Sequence, residues 1–70
     1  MPKLYSSFHI LKILEAHGFV FVSQKGSHIK VRKEDNPTLT VIVPAERKEM
    51  PHGTLRSVLR QSQLTIQDFE

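Results

Sequence analysis

Five consecutive residues, Gln24-Lys25-Gly26-Ser27-His28, gather the side chains of this sequence best suited to chemistry. Glycine permits a tight backbone approach, serine offers a hydroxyl hydrogen bond, and histidine is the side chain that ordinarily titrates near neutral pH. From His28 to Arg32 apolar and polar residues alternate, so an extended strand would place His28, Lys30 and Arg32 on one face and Ile29 and Val31 on the other. One imidazole beside two cations, with Lys25 in the preceding turn, meets the needs of phosphodiester cleavage in RNA. In that reaction a base removes the ribose 2′-hydroxyl proton, the oxygen attacks the adjacent phosphorus, and an acid protonates the leaving oxygen. Histidine suits either proton transfer, and a cation stabilises the charge that develops on the phosphorane. Taken alone, the Gly-Ser-His string is more simply a plain hairpin turn followed by an exposed strand histidine than a catalytic group.

Charge favours the chemical reading. Ten Lys and Arg against seven Asp and Glu leave the 70-residue chain at +3. The imbalance is concentrated between Lys25 and Arg60, where eight cations face four carboxylates, the footprint expected of a phosphate-backbone binder. Other chemistries find no support. The chain has no cysteine, so thiol nucleophiles, disulfides and thiolate zinc sites are excluded. Its three glycines assemble neither a P-loop nor a dinucleotide fingerprint, and its serines have no nucleophile elbow or triad partners. His9 and His17 stand eight residues apart on a predicted helix, too far for a compact metal pair, and are read as surface or partly buried helix positions. His52, just before Gly53 and Thr54, is either a helix-entry residue or a phosphate contact. Arg56 and Arg60, four apart, are either solvated or gripping phosphates. No cofactor or metal is expected.

A chain of this length holds one domain, predicted to cover residues 1–70, and buries only about 60% of the surface exposed when unfolded. Its longest apolar run, Phe19 to Val22, is far short of a bilayer span, so no membrane association and a reducing, cytoplasmic setting are expected. Phe8, Leu11 and Leu14, with Ile10 beside them, predict a helix from about Ser7 to His17, capped by Ser6 or Ser7 and stopped by Gly18. Phe19 to Val22 reads as a strand, Ser23 to Ser27 as a hairpin connection, and His28 to Arg32 as a second strand. A turn from Glu34 to Pro37 leads into a third strand, Leu39 to Val43, which Pro44 should end. Ala45 to His52 reads as a loop. A second helix opens at Gly53 and Thr54 and runs to about Gln61, with Leu55, Val58 and Leu59 inward. Thr65 and Asp68 resemble a capping box for a final turn in which Phe69 packs back on the domain. The prediction is an α+β domain of order α-β-β-β-α, its three-stranded antiparallel sheet covered by both helices on one face and free on the face carrying His28.

Gly18-Phe19, Gln24-Lys25-Gly26-Ser27-His28, the apolar strand ending at Pro44, Gly53-Thr54-Leu55-Arg56 through Val58-Leu59, and Leu64-Thr65 with Phe69 together resemble the HicA (YcfA-like) toxins of type II toxin–antitoxin systems. The resemblance covers nearly the whole chain, in order and at family length. It implies a double-stranded-RNA-binding-domain-like fold and metal-independent mRNA interferase (endoribonuclease) activity that arrests translation. It also implies mRNA and a HicB-type antitoxin as partners. Carried over by position, His28 is the catalytic histidine, with Gly26 and Ser27 shaping the turn that presents it. Lys25, Ser27, Lys30, Arg32 and Arg56 are the candidate RNA contacts. The alternatives are a non-catalytic RNA-binding module, in which His28 is one more recognition residue, and a degenerate toxin that only binds its antitoxin. One departure from the family stands after Pro44. Many members carry a histidine two residues beyond that proline, whereas this chain has Ala45 and Glu46, a carboxylate that repels RNA unless Arg47 offsets it and that implies reduced activity or an altered substrate preference.

Overall fold

Residues 5–69 are described by a computed structural model. Helix α1 spans Ser7–Ala16. Ser6 lies ahead of it in an extended conformation and its hydroxyl accepts the His9 N–H at 3.1 Å, satisfying one of the amide donors that every helix start leaves open. At the other end the Gly18 N–H donates to the Glu15 carbonyl and the Phe19 N–H to the Leu14 carbonyl, each at 3.0 Å. This pair is a Schellman closure, which requires a left-handed residue, and Gly18 supplies it with φ +96°. A Cβ at Gly18 would also meet the aliphatic carbons of Lys33 at 3.4 Å. Leu14 and Phe19 are both buried, so the helix is stopped and turned toward the sheet in one step.

Strands β1 (Val20–Lys25), β2 (His28–Lys33) and β3 (Leu39–Pro44) form an antiparallel meander with β2 in the centre. β1 is longer than the sequence reading, which assigned Ser23 to Ser27 to the connection. Ser23 instead pairs with Lys30, Gln24 with Ile29 and Lys25 with His28, leaving only Gly26 and Ser27 in the turn. Gly26 makes so short a turn possible: its φ is +58°, and positive φ at the first central residue is the mark of a II′ hairpin. A bulge at Val22 shifts the register between Phe21 and Ser23, which lets the polar residues resume pairing.

Period two then sorts the side chains. Val31 pairs with Val41 and Ile29 with Val43. Val31, Val41 and Val43 are buried under α1 and α2 (His52–Ser62). Both helices pack chiefly over β3, and they meet the sheet through Ile10, Leu14, Leu55 and Val58, with Met50 and Phe69 completing the core. β1 is the outer strand, at the margin of the helix layer. Of the apolar run Phe19 to Val22 only Phe19 is buried, and it precedes the strand; Val20 and Phe21 remain 61% and 63% exposed. At the opposite edge the Gln61 side chain accepts the Ile42 N–H at 2.9 Å, covering the outer side of β3.

α2 begins one residue earlier than expected, at His52, and ends at Gln63 with φ +60°. A short 3₁₀ turn, Ile66–Phe69, follows. The Thr65 N–H and hydroxyl both donate to the Asp68 carboxylate, at 2.8 and 3.1 Å, as the Thr65–Asp68 spacing foretold. The whole is the expected α-β-β-β-α arrangement, consistent with a double-stranded-RNA-binding-domain-like fold. Among the described residues no helix is long and apolar enough to cross a membrane.

Candidate nucleic-acid interface

His28 opens β2 and is exposed. Its backbone position is fixed from both sides: it pairs with Lys25 across the turn and with Pro44 on β3. One residue on, the Ala45 N–H donates to the Ser27 carbonyl at 2.6 Å, so the hairpin tip is bound to the end of β3. The Gln24 amide donates to the Gly26 carbonyl at 3.1 Å, holding the turn from within. A strand-end histidine on a two-residue turn is thereby made a fixed group rather than a loop residue.

Lys30 and Arg32 continue the row at steps of about 6.6 Å, the two-residue repeat of a strand. Lys30 stands between Ser23 and Ile42, and Arg32 between Val20 and Thr40. Both are half-buried and rest along the sheet, whereas Lys25 and His28 at the tip are exposed. Among the described residues these cations form no ion pair, so their charge is available to a ligand. The open face thus offers one imidazole with three cations spread around and below it, on rigid strand backbone.

The structure brings together Lys25, Ser27, His28, Lys30 and Arg32 on the β1–β2 hairpin. It does not bring Arg56 to them. Arg56 is exposed on α2, in the layer on the other side of the sheet, in a groove lined also by His52, Leu59 and Ile66. His9 is held by stacking on Tyr5, with ring centroids 4.9 Å apart and planes 7° from parallel, and its Nε2 lies 3.4 Å from the Phe69 carbonyl. His17 caps α1. Among the described residues no three His, Asp or Glu side chains gather into a group able to hold a metal ion.

One contributor escaped the sequence reading. Ser7, considered only as a helix cap, is buried at 3% exposure and bonds the segment after β3: its hydroxyl donates to the Pro44 carbonyl at 2.6 Å and accepts the Arg47 N–H at 2.9 Å. No local signal reveals a contact spanning about forty positions. Glu46, at the departure from the family pattern, is exposed and left-handed, with φ +59°, in the loop that Ser7 secures beside the hairpin tip.

A family model described as "HicA toxin of bacterial toxin-antitoxin" matches residues 9–64. No curated protein sequence matches the chain.

Proposed function

The chain belongs to the HicA family, the toxins of bacterial toxin–antitoxin systems, and from that membership we propose that it is an endoribonuclease that cuts mRNA and so arrests translation. The observation that carries the reading is the placement of His28, exposed on the free sheet face with Lys25, Lys30 and Arg32 on the same hairpin. In the proposed reaction the 2′-hydroxyl of the RNA is the nucleophile and the 5′-oxygen of the next nucleotide leaves. The products are a 2′,3′-cyclic phosphate and a 5′-hydroxyl. His28 carries one of the two proton transfers, and the cations neutralise the extra negative charge of the phosphorane. Lys30, Arg32 and Ser27 hold the phosphates on either side, and this scheme requires no cofactor.

A HicB-type antitoxin would silence such a site by covering the His28, Lys30 and Arg32 stripe with acidic or hydrogen-bond-accepting groups. In a toxin–antitoxin complex His28 should then be shielded, and a complex leaving it fully accessible would sink this part of the proposal.

The decisive experiment is cleavage of a long single-stranded RNA by the purified protein, with and without EDTA, alongside His28→Ala, with RNA binding measured in parallel. EDTA-resistant cleavage that disappears in a folded His28→Ala variant still able to bind RNA is the expected result. Wild-type protein that binds but never cuts would instead make the chain a non-catalytic RNA binder.

A further inference from the structure

On the helix side of the same hairpin tip lies a groove of ≈490 Å³, bounded by the start of α1, the inner side of the β1–β2 tip and the loop after β3. Its floor is apolar, from Phe8, Leu11 and Ile29, and Phe8 is 71% exposed although it is a large aromatic ring at the start of a helix. The loop supplies Glu46, Arg47 and Lys48 in succession. Gln24 and Ile29, which line the groove, are cross-strand partners two positions from Gly26 and one from His28 respectively, so the groove and the His28 face are the two sides of one turn.

We propose that this groove is a base-recognition site that receives a guanine of the bound RNA, with Glu46 as the specificity-determining residue. The proposal rests on the RNA-cleaving reading above and names what that reading leaves open, the preferred nucleotide. An ionised carboxylate only accepts hydrogen bonds. Among the four bases, guanine alone offers two adjacent donors on its Watson–Crick edge, N1–H and the 2-amino group, and these match the two oxygens of one carboxylate. Adenine and cytosine present an amino group beside a bare ring nitrogen, and uracil presents one N–H flanked by two carbonyl oxygens that a carboxylate repels. An exposed aromatic ring, which the Lys12 Nζ approaches to 5.5 Å from its centroid, suits, with neighbouring apolar side chains, the face of a base. Arg47 and Lys48 supply the positive charge that the phosphates of the same strand require and offset the repulsion of Glu46. A protein segment could use the apolar floor, but the adjoining cations, the exposed ring and the shared turn with His28 favour nucleic acid.

The test uses fluorescent nonauridylates with one variable central base, guanine, hypoxanthine, adenine or uracil. All are 2′-O-methylated so that wild-type protein cannot cut them, and unmodified long RNA is assayed for cleavage in parallel. The guanine oligonucleotide should bind about tenfold tighter than the uracil one, the scale of hydrogen bonds to a charged acceptor. Hypoxanthine, which lacks the 2-amino group, should fall between. In Glu46→Gln that preference should shrink to less than about twofold while the uracil oligonucleotide binds at least as well as before, because a repelling charge has gone. Arg47→Ala with Lys48→Ala should weaken every oligonucleotide equally. Oligonucleotides that bind without preference, or a guanine preference that survives Glu46→Gln, would overturn the base site, leave the RNA reading standing and turn attention to a protein occupant. Oligonucleotides that do not bind, together with long RNA left uncut, would overturn both.

Discussion

Ser7 joins three segments through a single residue. Besides the two bonds of its hydroxyl, its backbone N–H donates to the Arg47 carbonyl at 2.8 Å. The loop it secures has no ladder of its own, so the hydroxyl replaces the partners a strand would have provided. Ser7→Ala removes the hydroxyl and leaves a carbonyl and an amide without their part-buried partner, which should cost about 1 kcal/mol and is measured by urea denaturation. A variant as stable as the wild type would mean that the loop turns those groups to water. Asp68 works at the same scale with a different signature. Hydrogen bonds from the Thr65 backbone N–H first, and from the Thr65 hydroxyl second, hold its carboxyl below the ordinary value of 3.8. A depressed carboxylate contributes its stability in full above the unfolded value and loses it as pH falls through the folded one. Asp68→Asn keeps the side chain's shape but cannot titrate, so the stability gap between wild type and variant should be constant above about pH 5 and close as the solution is made more acidic. Thermal unfolding of both proteins across that window checks this, and a gap that does not change with pH would dismiss the carboxylate's role.

The two helices end in the same backbone conformation with different residues. α1 gives the left-handed position to Gly18, whereas α2 gives it to Gln63, with φ +60°. A side chain in that region costs about 1 kcal/mol relative to glycine. Gln63 is exposed, so Gln63→Gly should lose no packing and should raise stability by up to about 1 kcal/mol, read as a higher unfolding temperature. No gain would show that the greater freedom of glycine in the unfolded chain cancels the relief. Elements such as α1 were legible in the sequence because their causes are local: Ser6 and Gly18 set both ends, and the four-residue spacing of Ile10 and Leu14 sets the buried stripe. The alternation from His28 to Arg32 was legible for the same reason, and with it the open face of the site. Strand β1 was not. Ser23, Gln24 and Lys25 look like loop residues, and only pairing with β2 makes them strand. The exposure of Phe21 depends on how far the helices extend across the sheet, which no local pattern encodes. The groove beside Glu46 was hidden too, because its walls come from three separated stretches of chain.

At the scale of the molecule, extents of 34 × 28 × 18 Å leave room in the thin direction for only two layers, with sheet and helices about 10 Å apart. One sheet face must therefore remain open, and that face carries His28, Lys30 and Arg32. Those two cations and Lys25 together should neutralise about three phosphates of a single strand, which contributes about −2 to the slope of log affinity against log salt concentration, beside what Arg47 and Lys48 add. Replacing Lys30 and Arg32 by alanine should flatten the slope by about 1.4, with both side chains leaving half-exposed positions that the core does not need. Arg56→Ala separates two ways of docking. A strand lying along the sheet face and reaching the α1 groove never meets α2 and leaves the slope as it was, whereas a strand that also wraps α2 loses about 0.7. Since α2 packs on the far side of the sheet from His28, we expect the Arg56→Ala effect to fall below that of either sheet-face cation. Salt titrations with an uncleavable RNA measure all of these values. A steep slope untouched by the Lys30 and Arg32 replacements would move the phosphate path off the open face and with it the proposed role of His28.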